Sequence, residues 1–152
     1  MISSFQATRA KFREAVRRFL RDRAPYNTLL GDKETDDYNL DMCIDLALSD
    51  FNDTPPPIGD YGIANFPSFK LLLDGTVIEV LVSARILQAR NRLTYNAAGV
   101  SVKLSDKAGD YGEILAGMIQ RYEITKRNKK IAINMSQCWG GVSSEYGLIQ
   151  DY

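Results

Sequence analysis

The run from Phe66 or Phe69 to about Leu93 restricts the fold more than any other stretch of the chain. Leu72, Leu73, Thr76, Val77, Val80, Leu81, Ala84 and Leu87 line one face of a helix there, and Leu71, Ile78 and Val82 line a second. One flank of neighbouring helices cannot cover both faces. Either the helix is central in its own bundle, or Leu71, Ile78 and Val82 pack on another subunit. Gly75 permits a close approach on both readings. Lys70, Asp74, Glu79, Arg85 and Gln88 interrupt the region, which argues against a membrane span.

Three further helices follow from apolar spacing. Over residues 5 to 22, Phe5, Phe12, Val16 and Phe19 recur with Leu20 alongside, and Ser3 or Ser4 can cap the start. Arg9, Arg13, Arg17 and Arg21 form a second row at four-residue steps, mostly without acidic partners in the same helix. From about Tyr38 to Phe51, the residues Leu40, Cys43, Ile44, Ala47, Leu48 and Phe51 give the cleanest helical period in the chain. Asp36 and Asp37 suit its amino end, and Asp41 and Asp45 mark its wet face. The segment "NDTPPPIGDYG", residues 52 to 62, then stops the helix with a stiff spacer that is too short to separate domains. A fourth helix is expected from about Asp106 to Lys129, with Tyr111, Leu115, Met118 and Tyr122 as its stripe and Ile114 and Ile119 beside it. Lys126, Arg127, Lys129 and Lys130 would complement the dipole at its end.

Two segments do not read as helix. Between the third and fourth helices about a dozen residues alternate, with Val100, Val102 and Leu104 on one side and Ser101, Lys103 and Ser105 on the other. A lone strand leaves its backbone unsatisfied. Its partner is the C-terminal tail, the same arm folded back through "TYNAAG", or a neighbouring molecule. After the fourth helix, the alternation of Ile131, Ile133 and Met135, and then Gly140 and Gly141, predict an extended tail bearing Trp139 and Tyr146. The expected fold is mainly α: a four-helix bundle over residues 1–134, a protruding β-strand or hairpin arm at about 94–105, and an extended C-terminal tail over 135–152. With 152 residues the chain is one domain with a real core.

Charge is balanced overall but unevenly laid out. Residues 1 to 31 carry seven basic and two acidic side chains, a net +5, and residues 32 to 60 carry one lysine and nine acids, a net −8. Such a dipole either matches solvated faces within one molecule or orients neighbouring molecules. The arginine row could follow a phosphate backbone, but no aromatic residues alternate with it, and protein contact is the favoured reading.

Catalytic motifs are absent from the sequence. The chain has no histidine, no phosphate-binding glycine loop and no nucleophile elbow. "DKETDD" lacks the glycine and the distal glutamate of an EF-hand. Asp41 and Asp45 have nothing nearby that would raise a pKa. Cys43 and Cys138 fit neither a metal site nor a disulfide framework and are expected to be reduced. The charged amino end predicts no export. No enzyme activity, cofactor or metal is expected.

"YNLDMCIDLALSDFNDTPPP", followed by "FPSFKLLLDGTVIEVLVSARILQARNRLTYNAAGVSVKLSDKAGDYGEI" and ending in "SEYG", resembles the small virion structural proteins of tailed bacteriophages over roughly residues 36 to 147. Within that group the layout is similar to head-to-tail connector (adaptor) proteins of the neck. The resemblance implies an oligomeric ring, commonly of twelve copies, that joins the portal protein to tail terminator or tail-tube proteins and passes double-stranded DNA. It implies a place in the virion after synthesis in the host bacterial cytoplasm, and no catalytic residue. Val100, Val102, Leu104, Leu71, Ile78, Val82, Trp139 and Tyr146 would then meet subunits or partners, and Arg9, Arg13, Arg17 and Arg21 would face the portal or the DNA channel. A baseplate or tail-tip component is the alternative within that class, and a DNA-binding regulator the alternative outside it.

Overall fold

Four helices dominate the computed structural model, which describes residues 4–26, 31–90, 94–97, 100–103 and 107–139. They are α1 (Ser4–Leu20), α2 (Asp37–Asp53), α3 (Phe69–Arg90) and α4 (Lys107–Trp139), with two short strands, β1 (Thr94–Ala97) and β2 (Val100–Lys103), between the last two. The chain is mainly helical.

The two apolar faces of α3 are both used inside the molecule. Leu72, Val77 and Val80 pack on Phe12 and Val16 of α1 and on Leu40, Cys43, Ile44, Ala47 and Leu48 of α2. Leu71 and Ile78 form a second cluster with Phe51 of α2 and with Leu115 and Tyr122 of α4. Helix α3 is therefore the central element, with α1 and α2 on one side of it and α4 on another. This corrects the expectation that Leu71 and Ile78 meet another subunit: both are buried, and Val82 is partly buried against the same cluster. In α1, Leu20 packs on the core, whereas Phe19 is left exposed.

At Gly75 helix α4 comes close to α3. A Cβ at this position would lie 2.9 Å from the Tyr122 hydroxyl and 3.1 Å from two ring carbons. The ring cannot easily give way, because it is buried and its hydroxyl is hydrogen-bonded to Asp50 at 3.1 Å. Alanine would gain about 1 kcal/mol of helix propensity at most, against an overpacking cost of about 1–3 kcal/mol. Gly75→Ala is expected to lower the thermal midpoint, and Gly75→Val to lower it further, despite the helical setting.

Helix α4 is longer than its apolar period suggests. Leu115, Met118 and Tyr122 begin an inward stripe that passes through Lys126 and Lys130 and ends at Ile133. The two lysines hide the period from a reading of hydrophobic residues. Residues 135–139, expected as extended tail, are therefore helical, and the alternation of Ile131, Ile133 and Met135 sets one inward residue between two outward ones. Ile114 and Ile119, expected beside the stripe, are exposed. Trp139 closes the helix, and Tyr146 lies outside the described residues.

The alternating stretch pairs with itself. Antiparallel register joins Thr94 to Lys103, Tyr95 to Val102, Asn96 to Ser101 and Ala97 to Val100. Leu104 lies outside the described residues. The pairing is internal to the segment and does not by itself support an arm that reaches a partner.

Candidate functional site

Helices α1 and α2 are joined by a charged ladder. Arg9 forks onto Asp45, with nitrogen–oxygen distances of 3.1 and 2.5 Å. Arg13 donates to Asp41 at 2.8 Å, and Arg17 to Asp37 at 2.6 Å. Each step of four along α1 matches a step of four backwards along α2, as two antiparallel helices require. The unlike charges of residues 1 to 31 and 32 to 60 are thus matched within one molecule along this seam. Asp41 and Asp45, expected on a wet face, are ladder partners. The Asp45 hydrogen bond is the main influence holding the Arg9 guanidinium above its ordinary pKa, against the effect of burial.

Arg17 is the buried rung, 3% exposed. Besides Asp37 it holds Asp22 at 3.0 Å, and Asp22 also accepts from the backbone of Glu34 and Thr35 at 2.6 and 3.1 Å. Asp22 reaches this place because Arg21 leaves the helix with a φ of 56°, and the Asp22 amide bonds back to the Arg17 carbonyl. Arg21, the expected fourth rung, therefore lies off the row, with its guanidinium 6.0 Å from the Tyr26 ring centre. The Arg17 hydrogen bond holds the Asp37 carboxyl below the ordinary carboxylate range, although burial opposes this.

A second polar seam joins α2 to α4. Asp50 accepts from Lys126 at 2.8 and 3.0 Å and from Tyr122, and Lys126 also reaches Glu123 at 2.8 Å. One turn further, the Lys130 ammonium donates to the Asn52 and Pro56 carbonyls at 3.2 and 3.4 Å and stands 4.8 Å over the Phe51 ring. It thereby caps the carboxyl end of α2, where the helix dipole favours a cation. Asn52 in turn pairs both amide atoms with the Tyr61 backbone, and Phe51, Tyr61 and Phe66 pack ring on ring. On sequence alone Lys126 and Lys130 are solvated cations at a helix end; their spacing of four from Tyr122 is the signal that places them inside.

Tyr122, Lys126, Glu79 and Cys43 favour their protonated forms, whereas burial lowers the Lys130 ammonium. Burial raises the Tyr122 hydroxyl, and Asp50 raises it further. Burial opposes the charge of Lys126, but Asp50 and Glu123 outweigh it and leave the ammonium above its ordinary pKa. Glu79, in a cleft with Asp50, Gly75, Tyr122 and Glu123, is raised by burial and then by Asp50. Cys43 is pushed up to about 11 by burial, with Glu79 adding to it. The raised values oppose the activation of Tyr122, Lys126 or Cys43 as a nucleophile. Among the described residues no cluster of three or more His, Cys, Asp or Glu could hold a metal ion, and no helix is long and apolar enough to cross a membrane.

What the core does not use lies on the outer faces of the helices. Tyr38, Met42 and Leu46 form an exposed stripe on α2, and Ile124, Ile131 and Met135 form another on α4. Their spacings of four and four, and of seven and four, each keep to one side of a helix. Periodicity in the sequence concealed both stripes, because the inward residues gave the stronger pattern. No protein-family model, curated protein or solved structure matches the chain.

Proposed function

We propose that this chain is a non-enzymatic structural subunit that assembles through the outer faces of its helices. The observation that carries this reading is the placement of large apolar side chains on faces of α2 and α4 that point away from a core already filled. Contiguous exposed apolar surface of this kind marks protein contact. Charged ladders and buried lysine caps hold the helices in fixed relation, which suits a subunit that must present rigid faces.

The resemblance of residues 36 to 147 to small phage virion proteins supports, for that assembly, a ring of the phage neck that joins portal to tail around passing DNA, with a baseplate or tail-tip component as the alternative. The β1–β2 pair would serve as the arm and residues 140–152 as the docking tail. The arginine row has a lesser role in this reading than the resemblance implies, since Arg9, Arg13 and Arg17 already hold carboxylates of their own chain. A neutralised row is a poor ladder for phosphates, which also weighs against a DNA-binding regulator.

Multi-angle light scattering of the purified full chain, together with mass spectrometry of purified particles, tests the proposal. A discrete multi-subunit species and presence in the particle are expected. A monomer at all concentrations that is absent from particles sinks it.

A further inference from the structure

We infer that the α2 stripe of one copy seats on the α4 stripe of the next, in a head-to-tail contact between copies of this chain. The inference rests on the assembly reading above and names its seam. Tyr38, Met42 and Leu46 lie opposite the buried face of α2, and Ile124, Ile131 and Met135 lie opposite the inward face of α4 that carries Tyr122, Lys126 and Lys130. Because the inward faces of α2 and α4 meet each other through Asp50, Lys126 and Lys130 and share a cluster with α3, the opposite faces that carry the stripes open on different sides of the molecule. A two-fold contact through either stripe would leave the other uncovered; a head-to-tail contact covers both and repeats.

Charge selects the occupant. After the internal ladders are formed, Asp36 and Asp53, at the two ends of the α2 stripe, form no ion pair among the described residues, although Asp53 also acts across space on the Lys130 ammonium. Arg121 and Arg127 flank the α4 stripe on either side and likewise form none among them. An acid-bordered apolar stripe and an arginine-bordered one are complementary, and both belong to this chain. Like stripes would bring like charges together, which disfavours α2 on α2 and α4 on α4.

The test uses two full-length variants, each blocked on one face: Met42→Asp on α2 and Ile131→Asp on α4. Sedimentation equilibrium should find each alone as a monomer, with self-association weakened by more than about tenfold. An equimolar mixture should form a 1:1 dimer that grows no further, because each variant keeps the face that the other lacks. Circular dichroism checks the fold. Should either variant fail to fold, Arg121→Glu and Arg127→Glu, both on exposed side chains, should each weaken the association of the otherwise unchanged chain. If blocked variants keep the wild-type oligomer, the seam is wrong while the assembly reading stands. If the wild-type chain is monomeric throughout, the seam falls, and if it is also absent from particles the assembly reading falls with it. A Met42→Asp variant that still dimerises by itself overturns the head-to-tail arrangement.

Discussion

Arg17→Ala is expected to destabilise the protein by about 3 kcal/mol, the lower end of what removal of one partner from a buried ion pair costs. The lower end applies because Asp22 keeps two backbone donors, from Glu34 and Thr35, when the guanidinium is gone. Arg13→Ala removes a part-exposed rung and should cost less than about 1 kcal/mol. Arg17→Lys should recover only some of the loss, since one ammonium cannot fork between Asp22 and Asp37 as the guanidinium does. Urea unfolding of the three variants measures the difference; equal losses for Arg17→Ala and Arg13→Ala would show that burial of the rung does not matter. The same pairing makes acid destabilising. Asp37 is held below its unfolded value, so its contribution is complete above the ordinary carboxylate range near pH ~4 and is lost as pH falls through the lowered value. Arg17→Ala should therefore show a shallower loss of stability below that range than the wild-type chain.

Lys130→Glu should cost more than about 4 kcal/mol, because it sets an unpaired carboxylate against two carbonyls and an aromatic face with no access to water. Lys130→Met is the informative contrast. It keeps most of the volume and removes an ammonium whose charge burial already disfavours, but it leaves the Asn52 and Pro56 carbonyls without their donor. Its cost should be about 1–3 kcal/mol. Amide hydrogen exchange should show where: faster exchange is expected over residues 50 to 62, where Lys130 ties α4 to the end of α2, and little change in α1. Uniform acceleration along the chain would mean that the lysine does not act as a local cap.

How much of this could be read from the chain differs from element to element. Helix α2 was legible almost to the residue, since Asp36 caps it as expected, accepting from the Asn39 amide at 2.6 Å, and its apolar period matches its buried face. Helix α4 was cut short in the sequence reading because a lysine scores as solvent-exposed wherever its partner is unknown. The α2 partners of Lys126 and Lys130, Asp50 and Asn52, lie 76 and 78 residues away in sequence, and no local window contains them. The arginine row was visible as a row, and the acids of α2 as an acidic run. That the two face each other rung by rung follows from antiparallel packing, which neither helix encodes alone.

By itself, then, the sequence determined the helical class, the number of helices, the cap and inner face of α2, and the need for α3 to be covered on two sides. Those are consequences of side-chain period and backbone chemistry, which act over a few residues. The tertiary structure decided what covers α3, which charges are spent inside the molecule, and which apolar stripes remain outside. These depend on which distant helices meet, and a side chain is core, cap or surface only once its neighbours across space are fixed.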